Sequence, residues 1–304
     1  MIQYQDLADR MNAAAAQMTE PQKEAFRRSV TARNLAPPEN AELWLAIHDG
    51  IGGDAYDGAL SVPEMRAAME DLPLDSWATL NNVIFVLHRG NVFDEQWEAI
   101  PGGGIEYKFA PRYQIFLEQF EQEAARIREA TGENRVSVLD VGCWQGTLIC
   151  TLLQRGYRVA GTDICAETGP VVEERVAMLR PEHAARFIRF DREGDRPVIS
   201  GWAHRILRSL PPFDIVTCQE TLEHVPTAVL QQTCDAILHR AIHAVLITVP
   251  GWDDGWPLHL RVFTIADFER LFHADKNEMI VLQEPGGGVY TTVLVRPQHG
   301  GTND

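Results

Sequence analysis

The sequence predicts an α/β fold from residue 106 onward: a doubly wound, seven-stranded sheet with an antiparallel C-terminal hairpin strand, preceded by a mostly helical N-terminal domain. Three observations carry this reading. From residue 136, short apolar runs alternate with amphipathic stretches, the pattern of parallel strands covered on both faces by crossover helices. The last two apolar runs are separated by little more than Gly286-Gly287-Gly288, too short for a crossover, so they pair as a hairpin. The first run ends in a glycine turn, "DVGCWQG", that leads into a helical stretch.

In chain order, residues 1–105 read as a helical cap or interaction region. "TEPQKEAFRRSV" opens with Thr19 as N-cap and Pro21 in the first turn, and "SVPEMRAAMEDL" repeats the signature with Ser61, Pro63 and Glu64. "SWATLNNVIFVLHRG" is an apolar helix stopped by Gly90. "PGGGIEY" reads as a flexible joint. Residues 106–304 form the second domain. "PRYQIFLEQFEQEAARIREATG" places Ile115, Phe116, Phe120, Ala124 and Ile127 on one helical face, with Gly132 as its stop. The strands follow as "VSVLDVG", "RVAGTDI", "ARFIRFD", "FDIVTCQE", "HAVLITVP", "EMIVLQEP" and "YTTVLVRP". Helices are expected at about 146–155, 168–180, 226–241 and 264–272. Five parallel strands and a terminal hairpin make a Rossmann-like sheet that differs from the six parallel strands of a dinucleotide fold.

Composition excludes several function classes. Lys and Arg total 27 against 43 Asp and Glu, a formal charge of −16. Such a chain repels phosphate backbones and anionic headgroups, so nucleic acid is disfavoured as a partner. The five cysteines form no C-x-x-C pair and read as free thiols of a reducing, cytoplasmic compartment. Asp6 and Asp9 interrupt the N-terminus, which does not read as a signal peptide, and no apolar run approaches the roughly 18 residues of a membrane span.

The turn runs Asp140-Val141-Gly142-Cys143-Trp144-Gln145-Gly146. Gly142 lets the chain leave the strand sharply, and Gly146 permits close approach of ligand or helix. A nicotinamide dinucleotide turn needs glycines at 142, 144 and 147, where this chain has Gly, Trp and Thr. The second strand closes on Asp163, whose carboxylate has acceptor sites for both hydroxyls of a ribose. The fourth strand leads into "ETLEHV".

Together these residues resemble the class I S-adenosylmethionine-dependent methyltransferases, and in "LEHV" the subset that includes the ubiquinone-pathway O-methyltransferases. Asp140, Gly142 and Gly146 match the family's first motif; Trp144 departs from it. The resemblance spans roughly residues 110–297 and leaves the N-terminal region unassigned. It implies S-adenosyl-L-methionine as cofactor, held by Asp140, Gly142, Cys143, Trp144, Gly146, Asp163, Ile164, Asp191, Arg192 and Gln219, with Asp191 toward the adenine. Trp144 has two readings: a ring covering the methionine part or walling the acceptor pocket, or a ring packed under the preceding helix.

Methyl transfer to a hydroxyl needs water excluded and a proton removed. Glu220, Glu223 and His224 stand at i, i+3 and i+4, one face of a helical turn, and His259 follows the fifth strand. His224, His259 and Glu220 are the candidate catalytic residues. The set Glu220, Glu223, His224 and His259 also resembles the metal site of small-RNA 2′-O-methyltransferases and of some ubiquinone-pathway enzymes; the reading without metal is preferred. Trp252 and Trp256 suit either an acceptor platform or a lid. Every other histidine, His204 included, reads as surface or satisfied core. The expected function is O-methylation of a small molecule or saccharide. The alternatives are small-RNA terminal 2′-O-methylation and a non-catalytic cofactor-binding scaffold. The N-terminal region would serve a homo-oligomer or a partner protein.

Overall fold

A computed structural model describes residues 66, 70, 74, 77, 78, 81, 97–99, 105–107, 111–165, 168–190, 198–252, 259–283 and 290–298. The chain divides into two compact units, Met1–Arg89 with Asp253–Arg261, and Gly90–Trp252 with Val262–Asp304. In the smaller unit Arg66, Glu70, Leu74, Trp77, Ala78 and Asn81 are helical; all but Leu74 fall within the two stretches read as helices. Asn81 Nδ2 donates to the Trp77 carbonyl at 3.0 Å, and Arg261 pairs with Glu70. The helix predicted around Thr19 lies outside the described residues.

The larger unit opens with β1 (Trp97–Ala99) and β2 (Ile105–Tyr107), an antiparallel pair. The segment read as a flexible joint therefore includes a strand; its glycines lie outside the described residues. Helix α1 (Pro111–Thr131) follows, burying Phe116, Leu117, Phe120, Ala124 and Ile127. Gly132 ends it in the left-handed region (φ 70), with its N–H on the Arg128 carbonyl at 2.9 Å.

Seven strands then form one sheet: β3 (Ser137–Val141), β4 (Arg158–Asp163), β5 (Val198–Ser200), β6 (Phe213–Gln219), β7 (Ala241–Pro250), β8 (Glu278–Gln283) and β9 (Tyr290–Arg296), in the order β5-β4-β3-β6-β7-β9-β8. The first five are mutually parallel, and β9 runs antiparallel to both β7 and β8, as the hairpin reading requires. The crossover helices are α2 (Thr147–Gln154), α3 (Thr168–Ala177), α4 (Pro181–Ala184), α5 (Ala203–Ile206), α6 (Thr227–Arg240) and α7 (Ile265–Leu271). Thr264 and Asp267 form a reciprocal capping box at the start of α7. Val138, Leu139, Ile215, Val216, Leu246 and Ile247 are fully buried, each contributing about 1.5–3 kcal/mol by transfer from water. Phe120 packs edge-to-face on Tyr157 at 4.9 Å and seats α1 on the sheet. Asp214 accepts from the backbone N–H and the hydroxyl of Ser137, both at 2.7 Å, and so ties the start of β6 to β3.

The third parallel strand is not "ARFIRFD". Helical hydrogen bonding from α4 continues to Phe187, whose N–H donates to the Ala184 carbonyl. The chain extends too late to pair beyond the single bridge between Phe187 and Val159. The ladder is taken instead by Val198–Ser200, in register with Gly161–Asp163. Residues 188–190 form no strand, and Asp191 and Arg192 both lie outside the described residues.

Candidate active site

The carboxyl ends of β3, β4 and β6 meet at the glycine turn. Its first residues are tied to β4, with the N–H groups of Gly142 and Cys143 both donating to the Thr162 carbonyl, at 2.8 and 3.1 Å. Gly142 (φ 75) has no room for a side chain, since an added Cβ would stand 2.2 Å from Thr221 Oγ1. Gly146 (φ 77) has the same need, with Val172 of α3 at 2.8 Å from an added Cβ. Helix α2 starts from Gly146 without a capping side chain, so its first-turn amides remain oriented toward the turn.

Trp144 occupies the position where a third glycine is expected, and it keeps a glycine's backbone. Its φ is 45, in the left-handed region. A non-glycine residue there costs about 1–3 kcal/mol and persists only where its surroundings impose it. The imposing contact is Asp163, whose Oδ2 accepts the Trp144 backbone N–H at 2.8 Å. The ring is half-buried.

Asp163 thus holds the turn as well as closing β4. Its other oxygen accepts from the Cys165 N–H at 2.8 Å, and Ile164 between them is half-buried. Burial pushes the Asp163 carboxyl up to about 6, opposed by the N–H groups of Cys165 and Trp144. Asp140 lies beneath the turn, its Oδ1 accepting from Thr217 Oγ1 at 2.9 Å. Burial pushes Asp140 up to about 7; the Thr217 hydroxyl opposes this and the charge of Asp163 adds to it. Cys143 is buried, its thiol pushed well up, chiefly by burial, so it acts as a small apolar filler against Gly161.

The end of β6 approaches the turn from the other side. Gln219 is its last residue, and its Nε2 is buried with no hydrogen-bond partner among the described residues. Such a donor suits a ligand's carbonyl or carboxylate. Glu220 follows at φ 48, its N–H on the Thr248 carbonyl at 2.8 Å, and Thr221 then packs on Gly142. The expected helical face does not form. Only Leu222–His224 makes a short 3₁₀ turn, and Glu220 stands outside it in a left-handed conformation. Glu223 is fully buried and His224 half-buried. His259 is buried and belongs to the smaller unit. Trp252 is at the end of β7, edge-to-face with Tyr290 at 5.1 Å and partly exposed; Trp256 lies outside the described residues.

Three residues of the turn's surroundings escaped sequence reading. Arg175 of α3, itself buried, donates to the Gln145 carbonyl at 3.1 Å and to the Gln145 side chain, and so clamps the middle of the turn. In sequence it is a lone arginine on a short amphipathic helix, with no motif to mark it. Trp202 and His204, just past β5, are buried, and Trp202 Nε1 and His204 Nδ1 have no hydrogen-bond partner among the described residues. His204 is therefore not a satisfied core histidine; burial first, then Arg205 and Arg208, hold its ring below the usual imidazole range. Placing β5 at 198–200 is what reveals both.

Comparison with known proteins agrees with this layout. A family described as a methyltransferase domain matches residues 112–274, more than half of the chain. A ubiquinone biosynthesis O-methyltransferase of Pectobacterium carotovorum subsp. carotovorum (strain PC1) is 30% identical over 153 residues, which cover 50% of this chain and 58% of that protein. One of the same description from Pseudomonas paraeruginosa (strain DSM 24068 / PA7) is 34% identical over 101 residues, 33% of this chain and 38% of that protein. The chain thus spans little more than half the length of the first of these relatives and less of the second. Among solved structures, magnesium protoporphyrin IX methyltransferase from Synechocystis PCC 6803 with bound SAM aligns at 15% identity and a TM-score of 0.45, covering 73% of this chain and 97% of that one.

Proposed function

The chain belongs to the S-adenosylmethionine-dependent methyltransferase family, and from that premise we propose that it methylates a hydroxyl of a small molecule or saccharide. One observation carries the proposal. The Gln219-Glu220-Thr221 segment packs directly on the glycine turn through Thr221 and Gly142, which supports a role beside the methyl donor for the proton-accepting residues of that segment. The curated relatives named above are O-methyltransferases, which favours oxygen as the acceptor atom.

The residues present fit the cofactor: two side-chain-free positions in the turn, a buried carboxylate beside it and a buried amide donor without a partner. Asp163 would accept the ribose hydroxyls on the lone pairs its two backbone partners leave open. Gln219 Nε2 would donate to the cofactor's carboxylate end. The cofactor supplies a methyl group already activated on a sulfonium, so the transfer is a direct displacement. The chain's task is to align the acceptor, exclude water and take one proton. His224 is the proposed base, accepting the hydroxyl proton on a ring nitrogen, with Glu220 orienting the acceptor and His259 the second candidate.

His224→Ala is expected to lower kcat by about a hundredfold or more with S-adenosylhomocysteine affinity unchanged, since base removal leaves cofactor contacts intact. Equal turnover in His224→Ala and the parent removes His224 from the chemistry. Chelation is expected to leave turnover within about twofold, because the methyl group arrives already activated on the sulfonium and its transfer calls for no Lewis acid. Loss with EDTA, restored by Mg²⁺, would instead assign Glu220, Glu223, His224 and His259 to a metal and favour a ribose 2′-hydroxyl.

Cofactor affinity is expected to depend on pH. Burial raises Asp163 to about 6 in the folded chain, above an ordinary carboxylate. The folded state therefore holds this proton more tightly than the unfolded chain, and the stability that confers is lost as pH rises through about 6. Ribose hydroxyls donate to the ionised carboxylate, so binding favours loss of the proton. Stabilisation by S-adenosylhomocysteine should grow between pH values about one unit below and one unit above that midpoint. A flat profile in thermal unfolding would show that Asp163 does not titrate on binding.

A further inference from the structure

At the sheet end opposite the glycine turn, three adjacent chain segments each carry an arginine. Arg135 stands two residues before β3, Arg158 is the first residue of β4, and Arg186 precedes the Phe187 bridge to Val159. Backbone bonds hold the three segments side by side: Arg158 N–H to the Val136 carbonyl at 3.2 Å, and Val159 N–H to the Arg186 carbonyl at 3.3 Å. Around them is a groove of about 370 Å³ lined by Asn134, Arg135, Gly156, Arg158, Ala185 and Arg186. No carboxylate of the described residues lines it.

That absence is unusual for this chain. Acids outnumber Lys and Arg by 43 to 27, and neighbouring arginines find them: Arg155 with Glu121, Arg189 with Glu173, Arg296 with Glu123. Arg135 and Arg158 make no side-chain hydrogen bond or ion pair with a described residue. Arg186 donates to the Glu182 carbonyl at 2.6 Å and lies 3.5 Å from His183 Nδ1, which fixes its position without neutralising it. Three like charges line one groove, with no carboxylate of the described residues paired to any of them.

We propose that this groove binds a small anion carrying two or more phosphate charges, of the size of pyrophosphate or a nucleoside diphosphate, at a site separate from the glycine turn. Planar guanidinium groups form paired bonds with phosphate oxygens, and the Asn134 amide adds a donor at the rim. The volume falls in the range of about 300–1,000 Å³ occupied by small-ligand sites. A duplex backbone is disfavoured because the rest of the acidic surface repels it. Arg135 and Arg158 are exposed, so binding is screened by salt. The proposal does not rest on the methyltransferase reading.

The test is calorimetric titration of the full chain with inorganic pyrophosphate at low salt, with sulfate at matched ionic strength as control. One site per chain is expected, with affinity falling by more than about tenfold in Arg158→Glu and in Arg135→Glu. S-adenosylhomocysteine binding should stay unchanged in both variants, which separates this outcome from failure of the cofactor site. Arg158→Gln serves as a milder variant if charge reversal disturbs folding. Absence of pyrophosphate binding, equal binding of sulfate, or binding that survives both reversals would overturn the proposal. So would a polyglutamate peptide that binds where pyrophosphate does not, which would make the groove a protein-docking surface.

Discussion

Asp163→Ala is expected to weaken S-adenosylhomocysteine binding by well over about tenfold, a loss of roughly 1.4 kcal/mol or more. Two effects combine. The variant removes the acceptors proposed for the ribose hydroxyls. It also removes the acceptor at 2.8 Å that holds the Trp144 N–H, the contact that keeps a tryptophan in a left-handed backbone conformation. Without it the turn can relax toward an ordinary φ and move the ring. Asp163→Asn separates the two effects, since an amide can retain the acceptor for Cys165 while presenting N–H to N–H at Trp144. Isothermal titration should rank the parent tightest, Asn weaker and Ala weakest. Parent-like affinity in Asp163→Ala would remove Asp163 from the cofactor site.

Gly142→Ala is expected to be the most destabilising small substitution in the sheet's carboxyl edge. The new Cβ would lie 2.2 Å from Thr221 Oγ1, 2.6 Å from its Cγ2 and 2.9 Å from its Cβ, at a φ of 75. Left-handed strain of about 1–3 kcal/mol and overpacking of about 1–3 kcal/mol add to several kcal/mol, a large part of the roughly 5–15 kcal/mol that stabilises a domain. The clash also parts the turn from β6, so cofactor affinity should fall with stability. Thr221→Ala in the same chain should recover only part, because the Thr221 Cβ contact and the φ remain. Denaturant unfolding of both variants checks this; a parent-like midpoint for Gly142→Ala would show that the loop after β6 is free to withdraw.

The regular part of this fold was legible because apolar runs and crossover spacing are local signals. Val138 to Val141 and Ile215 to Cys218 read as buried strands, and so they are. "FIRF" misled because Phe187 and Phe190 resemble strand residues, while the turn continuing from α4 is set by hydrogen bonds that no pattern of apolar residues displays. The carboxylate at 163 was legible as a strand-end acid. That it also imposes φ 45 on Trp144 was not, since that depends on a contact across 19 residues. The Glu-x-x-Glu-His spacing predicts a helical face, but the left-handed Glu220 breaks it, a backbone choice that spacing alone does not reveal. Arg175 was hidden for a similar reason: its partner Gln145 lies 30 residues away.

The turn, with Asp163 beside it, is proposed to hold an S-adenosylmethionine-type ligand and not a dinucleotide. Calorimetric titration of the full chain with S-adenosylhomocysteine and, separately, with NAD distinguishes the two. One site in the micromolar range is expected for S-adenosylhomocysteine, lost in Asp163→Ala, with no heat from NAD. A folded chain that binds NAD, or one that ignores S-adenosylhomocysteine, would contradict it.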